Sequence, residues 1–157
     1  MLNRDPQNNL MVQTAFHPRL TSAANFESVA MPHLNDLYRT AFHLLPQPAQ
    51  ASAAVEETFV RARTASGEYP RFTNSRIRLF QILIQVVRLK RTKSSSTVVS
   101  AINRVPLDFR EALLLVDGQG FSYSDTARIL GLLEDVVAHH IVQGRNHLQS
   151  ELERKCI

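Results

Sequence analysis

Three sets of side chains in this 157-residue chain have types and spacings that could do chemistry. Histidines could bind a metal, two adjacent glutamates could exchange protons, and a run of arginines and lysines could bind phosphates. The histidines are His17, His33, His43, His139, His140 and His147. His140 and His147 are seven residues apart and could share a helix face. Without a nearby carboxylate or cysteine set, such a pair is more typical of packing or of a surface than of a metal site.

The other candidates do not predict catalysis. Glu56 and Glu57 are neighbours, so on a helix they point about 100° apart and cannot face one substrate as a carboxylate pair. The sequence contains no Gly-rich phosphate loop, no His-Glu-x-x-His motif and no serine nucleophile elbow. We therefore expect no enzymatic activity, no catalytic residue, no metal site and no cofactor.

The strongest chemical signal is positive charge concentrated in one segment. Residues 1–100 contain 12 Lys/Arg and 6 Asp/Glu, whereas residues 101–157 contain 6 Lys/Arg and 8 Asp/Glu. Seven of these cations surround the apolar run 79–87: Arg71, Arg76, Arg78, Arg88, Lys90, Arg91 and Lys93. They are either the solvated ends of a buried helix or the footprint of a phosphate backbone.

The elements near the end of the chain are predicted by apolar spacing and by caps. Pro106 opens a helix whose apolar residues recur at i, i+3, i+4 and i+7 from Phe109, and Gly118 and Gly120 close it. We predict that the apolar face of this helix packs against the helices that follow and supports them.

Two shorter helices are predicted next. Ser122 is expected to cap the first, with Asp125 as its capping-box partner, and Gly131 to end it in the left-handed conformation that glycine adopts at no steric cost. The second begins at about Asp135, and its inward residues are Val137, Ile141, Gly144 and Leu148. Two short helices at a steep angle behind a buttress form a helix-turn-helix, which presents one helix to the DNA major groove.

The rest of the chain is also predicted to be helical, because glycine is scarce and apolar residues recur at helical spacing. One amphipathic helix is formed by Leu34, Leu37, Tyr38, Ala41 and Leu44, and Pro46 and Pro48 end it. A second carries Val55, Phe59 and Ala62, and a third runs from Arg76 to about Lys93. Residues 1–24 are a polar tail, 67–70 a loop and 94–100 a serine-rich linker. We predict an all-α chain with two small helical domains, 25–93 and 101–157.

The cellular location is predicted from the scarcity of cysteine and from the lack of a membrane span and a signal peptide. Cys156 is the single cysteine, which excludes an internal disulfide framework and is typical of a reducing cytoplasm. No apolar stretch reaches the ~18 residues that a membrane span needs, and the N-terminus lacks the pattern of a signal peptide. We expect a cytoplasmic protein without membrane insertion.

Both predicted domains resemble parts of one protein family. Phe-Arg-Glu-Ala-Leu-Leu-Leu at 109–115, Gly-Phe-Ser-Tyr at 120–123 and Ala-Arg-Ile-Leu-Gly at 127–131 are similar to region 4 of extracytoplasmic-function (ECF) sigma factors of the sigma-70 family. Residues 26–28, 32–34, 37–39, 55–62 (Val-Glu-Glu-Thr-Phe-Val-Arg-Ala) and 79–83 resemble region 2. Two blocks in the family's order are a more specific signal than a helix-turn-helix alone.

The resemblance implies a three-helix region 2 domain and a helix-turn-helix region 4 domain. It also implies that the chain binds RNA polymerase core at the β′ clamp and directs promoter-specific initiation through minus-10 and minus-35 elements, under control of an anti-sigma factor. The implied DNA-binding residues are Arg76, Arg78, Gln81, Gln85, Arg88, Lys90, Arg91, Arg128, His139, His140, Gln143, Arg145 and Asn146. The implied polymerase-binding residues are Leu37, Arg39, Glu56, Glu57, Val60 and Arg61.

The chain departs from the family where DNA would be read. The family's recognition helix carries one lysine and three arginines, of which only Arg145 is present here; Ala138, His140 and Gln143 replace the others. Glu134 and Asp135 add negative charge at the helix start, where a groove-bound helix would meet phosphates. In region 2, the sequence Gln-Ala-Ser-Ala at 50–53 replaces the acidic cluster that is usual in the family. Arg63 and Arg78 stand where the family has aromatic residues.

Two functions therefore stay open on the sequence. In the first, the chain is a sigma factor whose neutral His, Gln and Asn side chains still read a minus-35 element. In the second, it is a sigma-like interaction module that binds an anti-sigma factor rather than DNA, as in the sigma-mimicking half of some response regulators.

Overall fold

The computed structural model describes residues 26–65, 74–91 and 101–154. A helical segment at 26–30 and a 3-10 turn, Met31–His33, come first. The helices that follow are α1 (Leu34–Leu44), α2 (Pro48–Thr64), α3 (Ser75–Arg91), α4 (Ala101–Arg104), α5 (Leu107–Leu113), α6 (Tyr123–Leu130) and α7 (Glu134–Glu153). A π-helical stretch, Leu114–Gly118, continues α5. The described residues contain no strand, so the all-α prediction is confirmed. The predicted tail, the 67–70 loop and the linker lie outside the described residues.

The first three helices pack together, and we call them the N-terminal bundle. Leu37, Ala41 and Leu44 lie at i, i+4 and i+7 on α1 and are buried, as their spacing predicts. Tyr38 on the same helix is 36% exposed and lies outside this buried face. It lies about 100° around the helix from Leu37. Pro48 does more than end α1, because it occupies the first turn of α2, where a missing N–H costs nothing.

The central helix of the bundle, α3, is buried on most of its circumference. Leu79, Phe80, Leu83 and Ile84 are at most 1% exposed although they point in different directions around the helix. A helix that is apolar on most sides needs partners on most sides. The other two helices of the bundle cover part of it, and α6 from the end of the chain covers another part.

The helices α4–α7 form the second body, which we call the C-terminal unit, and its caps follow the sequence. The Ser122 hydroxyl accepts the backbone N–H of Asp125 at 3.0 Å, which starts α6. Gly131 ends that helix at φ 69°, the left-handed conformation expected for it. The Asp125 carboxylate lies 3.6 Å from Arg128 on the next turn, so its contribution is an ion pair along the helix.

The last helix packs by the predicted face. Val137 and Ile141 are fully buried, and Gly144 is buried against α5. A Cβ on Gly144 would lie 2.8 Å from side-chain carbons of Leu113 and 3.3 Å from the Phe109 Cβ. The two helices therefore approach so closely at this crossing that a side chain at position 144 would force Leu113 to shift.

Gly144→Ala is expected to destabilise the protein by about 1–3 kcal/mol, because the added methyl overpacks the α5–α7 contact. Urea denaturation followed by circular dichroism measures the loss. Gly118→Ala is the matched control, since its Cβ would meet only a Leu114 side-chain carbon at 3.9 Å, an ordinary contact. Equal losses in the two variants would contradict the close approach.

The two bodies touch through an aromatic contact. The rings of Phe80 on α3 and Phe121 in the turn before α6 meet edge to face, with centroids 5.0 Å apart, and both side chains are buried. The N-terminal bundle and the C-terminal unit are therefore packed against each other. None of the described helices combines the length and the apolarity required to cross a lipid bilayer.

Candidate nucleic-acid and partner interface

The basic segment on α3 faces two directions. Arg76 points toward the C-terminal unit, where it donates to the backbone carbonyl of Gln119 at 2.8 Å and stacks 4.2 Å from the ring centroid of Phe121. Gln81 donates from Nε2 to the Arg128 carbonyl at 2.9 Å. Arg88, three turns after Arg76, also reaches this unit.

The pair between Arg88 and Glu111 joins the two bodies through three hydrogen bonds. Arg88 Nη2 lies 2.6 Å from Glu111 Oε2, and its Nε lies 3.2 Å from both carboxylate oxygens. The Glu111 side chain is only 1% exposed, and burial raises the pKa of its carboxyl, an effect that Arg88 opposes. The hydrogen bonds from Glu111 raise the pKa of Arg88 in turn. Glu111 thus depends on Arg88 to carry its charge.

The remaining cations of α3 serve the N-terminal bundle or the surface. Lys90 lies 2.9 Å from Glu57, and its hydrogen bond lowers the pKa of that carboxyl. Arg91 donates to the Leu44 carbonyl at 3.0 Å, at the end of α1. Gln85 is exposed and Arg78 is half-buried. Arg71 and Lys93 lie outside the described residues.

On α7, the side chains predicted to face outward between His139 and Asn146 carry no fixed charge, whereas Asp135, Arg145 and Glu153 on the same helix are exposed. His139 and Asn146 are exposed, Val142 is 54% exposed, and Gln143 is half-buried. The Arg145 guanidinium, the one basic group retained from the family's pattern, is bound by Asp117 through two hydrogen bonds of 2.6 and 3.0 Å. This bidentate pair joins Arg145 to the π-helical stretch after α5, while the Arg145 side chain stays 54% exposed.

The described arginines of the C-terminal unit all bind groups within that unit. Their partners are Glu151 for Arg104 and Arg154, Asp125 for Arg128, Asp117 for Arg145, and the Asn103 and Val105 carbonyls for Arg110. Burial lowers the pKa of Arg110 to about 10, so it keeps its charge at neutral pH. Four of these arginines keep side chains that are 51% to 70% exposed, so their ion pairs are weak surface pairs.

The two histidines predicted to share a face do so against an aromatic ring. The centroids of His140 and His147 lie 5.2 and 5.7 Å from that of Phe109. This contact fits the packing interpretation of the pair. His140 is half-buried, so it is less available to DNA than His139. Among residues 26–65, 74–91 and 101–154, no group of three or more His, Cys, Asp or Glu could hold a metal ion.

Some of the residues predicted to bind polymerase are exposed and others are buried. Leu37 is fully buried in the core, so its assignment to a partner surface is wrong for this conformation. Arg39 and Glu56 are exposed, and Val60 is 62% exposed on α2. Glu57 pairs with Arg61 at 2.5 Å and with Lys90, which joins α2 to α3. Sequence reasoning missed the groove beside Val60, whose lining is Phe26, Glu27, Met31, Phe59 and Arg63.

Sequence reasoning also missed the residues that receive the α3 side chains. Glu111, Gln119 and Phe121 belong to the C-terminal unit, and the α3 residues that hydrogen-bond to the first two lie 23 and 43 residues away along the chain. Glu111 is buried on α5 together with Arg110, Ala112 and Leu113, and a buried carboxylate requires a partner.

Comparison with known proteins matches the end of the chain to one family. Residues 96–148 match the model of sigma-70, region 4. A 61-residue stretch is 36% identical to the ECF RNA polymerase sigma factor SigM of Mycobacterium tuberculosis, covering 39% of this chain and 31% of the relative. A 53-residue stretch is 38% identical to the ECF RNA polymerase sigma factor EcfG of Rhodopseudomonas palustris, covering 34% of this chain and 29% of the relative. The matches span less than a third of these relatives.

Solved structures share the fold over most of the chain. The sigma factor RpoE in complex with the anti-sigma factor NepR, from Bartonella quintana, superposes with a TM-score of 0.74 at 23% identity, covering 82% of this chain and 97% of that one. CnrH in complex with the cytosolic domain of CnrY superposes with a TM-score of 0.72 at 22% sequence identity, covering 86% of this chain and 94% of that one. The anti-anti-sigma factor PhyR in complex with the anti-sigma factor NepR, from Bartonella quintana, superposes with a TM-score of 0.64 at 18% sequence identity. The match covers 80% of this chain and 49% of that one.

Proposed function

We propose that this chain, which carries a sigma-70 region 4 domain and is a relative of the ECF sigma factors, is a transcription initiation factor. In this role the N-terminal bundle binds the β′ clamp of RNA polymerase core, α3 contacts a melted minus-10 element, and α7 lies at minus-35. The observation that carries the proposal is the helix-turn-helix of α6 and α7 inside the region 4 match, with the outward face of α7 open to a ligand.

The exposed part of α2 is the best candidate for the polymerase contact. Val60 exposes 62% of its surface next to Arg61, and the groove lined by Met31 and Phe59 adjoins it. An exposed apolar centre with charged neighbours is the usual composition of a protein interface. Arg39 and Glu56, which are also exposed, complete the proposed polymerase-binding surface.

Val60→Asp is expected to weaken binding to RNA polymerase core by at least about tenfold, because it places a charge at the apolar centre of the proposed contact. Val142→Asp is the matched control: it introduces the same charge at an equally accessible valine on α7, and core binding should be unchanged. Affinity is measured by fluorescence anisotropy of the labelled full chain against core enzyme. If native and Val60→Asp chains bind core equally, α2 is not the contact.

A second function is favoured by one specific observation. The described arginines of the C-terminal unit are bound within it, and α7 presents uncharged side chains outward. A region 4 domain with this surface suits a module that binds an anti-sigma factor rather than DNA. Likeness to the PhyR structure, at 18% identity, supports the shared fold only. Co-elution of the native chain with an anti-sigma factor, but not with polymerase core, would favour this second function.

A further inference from the structure

We propose that residues 10–20 of this chain bind in the groove beside Val60 and compete there with any partner of α2. The inference rests on the proposed function for the identity of that competitor, RNA polymerase core, whereas binding of the segment itself is measured without polymerase. Its basis is an uncovered apolar groove together with the sequence that leads directly into it.

The groove combines a buried aromatic pair with an exposed apolar rim. The rings of Phe26 and Phe59 meet edge to face, with centroids 6.2 Å apart. Met31 and Val60 line the same groove and are 53% and 62% exposed. The volume of the groove is about 400 Å³, which is large enough for several side chains of a peptide.

The two exposed rim residues come from different elements. Met31 belongs to the 3-10 turn before α1, and Val60 belongs to α2. A ligand that lies between them therefore removes apolar surface of both from water, which is favourable. Contiguous exposed apolar surface with charged neighbours is typical of a site that binds a partner.

The chain enters the N-terminal bundle at this groove. Phe26 is the first described residue, and its side chain lines the groove. Five residues, 21–25, separate it from the segment 10–20, and five residues span up to about 18 Å. A short tether of this kind gives an effective concentration of about 1 mM. A segment that binds as a separate peptide with a Kd of only about 1 mM would then fill the groove half of the time.

The composition of the segment suits the groove. Five large apolar residues occur within its eleven positions: Leu10, Met11, Val12, Phe16 and Leu20. Its fixed charge is Arg19, and the groove carries the exposed Glu27 on its wall. The sequence from 6 to 25 contains no acidic residue that would repel Glu27. The segment therefore supplies apolar side chains for the rim and a cation for the wall.

Binding of the segment and binding of a partner at α2 exclude each other. Val60 is the apolar centre of the proposed polymerase contact, and a peptide in the groove covers it. The apparent affinity for core enzyme is then the intrinsic affinity multiplied by the fraction of molecules with a free groove. Weakening the segment raises that fraction.

The test uses the full chain with Met31→Cys in a Cys156→Ser background, so that the rate of reaction with a maleimide reports access to the groove. Val12→Asp combined with Phe16→Asp places two charges where apolar side chains are needed. We expect labelling to become at least about twofold faster, because a segment bound half of the time protects the thiol for half of the time. In chains that retain Met31, the affinity for core enzyme should rise by the same factor.

Two controls match this design. Gln7→Asp with Asn9→Asp adds the same two charges upstream of the segment and should leave the labelling rate unchanged. A probe made by Val142→Cys on α7, at a position as exposed as Met31, should react equally fast in every variant. Circular dichroism verifies that each variant folds, and Phe16→Ser alone serves if the double variant does not.

An unchanged labelling rate in a folded variant would overturn the inference. A native chain whose labelling slows as its concentration rises would also overturn it, because the groove would then be filled by a second copy. Faster labelling without a gain in affinity for core enzyme would leave the bound segment standing and would show that polymerase does not use this groove.

Discussion

Phe80→Ala is expected to lower the free energy of unfolding by about 3–5 kcal/mol, the range for truncating a buried phenylalanine. Phe80 is fully buried on α3, and its ring meets that of Phe121 at a centroid distance of 5.0 Å. Truncation would leave a cavity where the cores of the two bodies meet, so each loses contacts. Urea denaturation of the full chain, followed by circular dichroism, measures the change.

Phe42→Ala is the matched control for this prediction. Phe42 lies on α1 in the same bundle but is 44% exposed, with Tyr38 and His43 as ring neighbours. The same truncation there should cost less than at Phe80, about 1 kcal/mol, because nearly half of the Phe42 surface is already exposed to water. Comparable losses at the two positions would mean that Phe80 is not the centre of the core.

Ala138→Lys combined with Gln143→Arg should increase the affinity of the full chain for a promoter duplex by at least about tenfold at low salt. These changes restore two basic positions of the family's recognition helix to a face whose predicted outward side chains carry no fixed charge. Each new phosphate contact releases counterions and steepens the log–log salt dependence by about 0.9. Fluorescence anisotropy at several salt concentrations measures both quantities.

The control adds the same charge elsewhere. Ser52→Lys with Ala53→Arg places two basic residues on the exposed side of α2, far from the recognition helix in the sequence. If duplex affinity rises equally in both double variants, the gain is general attraction to DNA and α7 does not dock in a groove. A native chain that already binds tightly, with no gain from the α7 changes, would contradict the loss of DNA-reading charge.

The sequence by itself determined many local elements and the resemblance of the C-terminal unit to sigma-70 region 4. Ser122 and Gly131 predicted both ends of α6, because a hydroxyl cap and a left-handed glycine act within a few residues. Val137 and Ile141 predicted the buried face of α7 from spacing alone. Residues 109–131 carried the resemblance to region 4, which the family match over residues 96–148 confirms.

The tertiary structure alone decided how the polar side chains are used. Arg88 was predicted to bind DNA, yet it pairs with Glu111, and Arg145 was predicted to do the same, yet Asp117 holds it. Leu37 was assigned to a partner surface but belongs to the core. Helical spacing specifies which face of a helix is apolar, because neighbouring turns repeat that pattern locally. The partner of a charged side chain depends on how distant helices pack, and nothing within one helix encodes that choice.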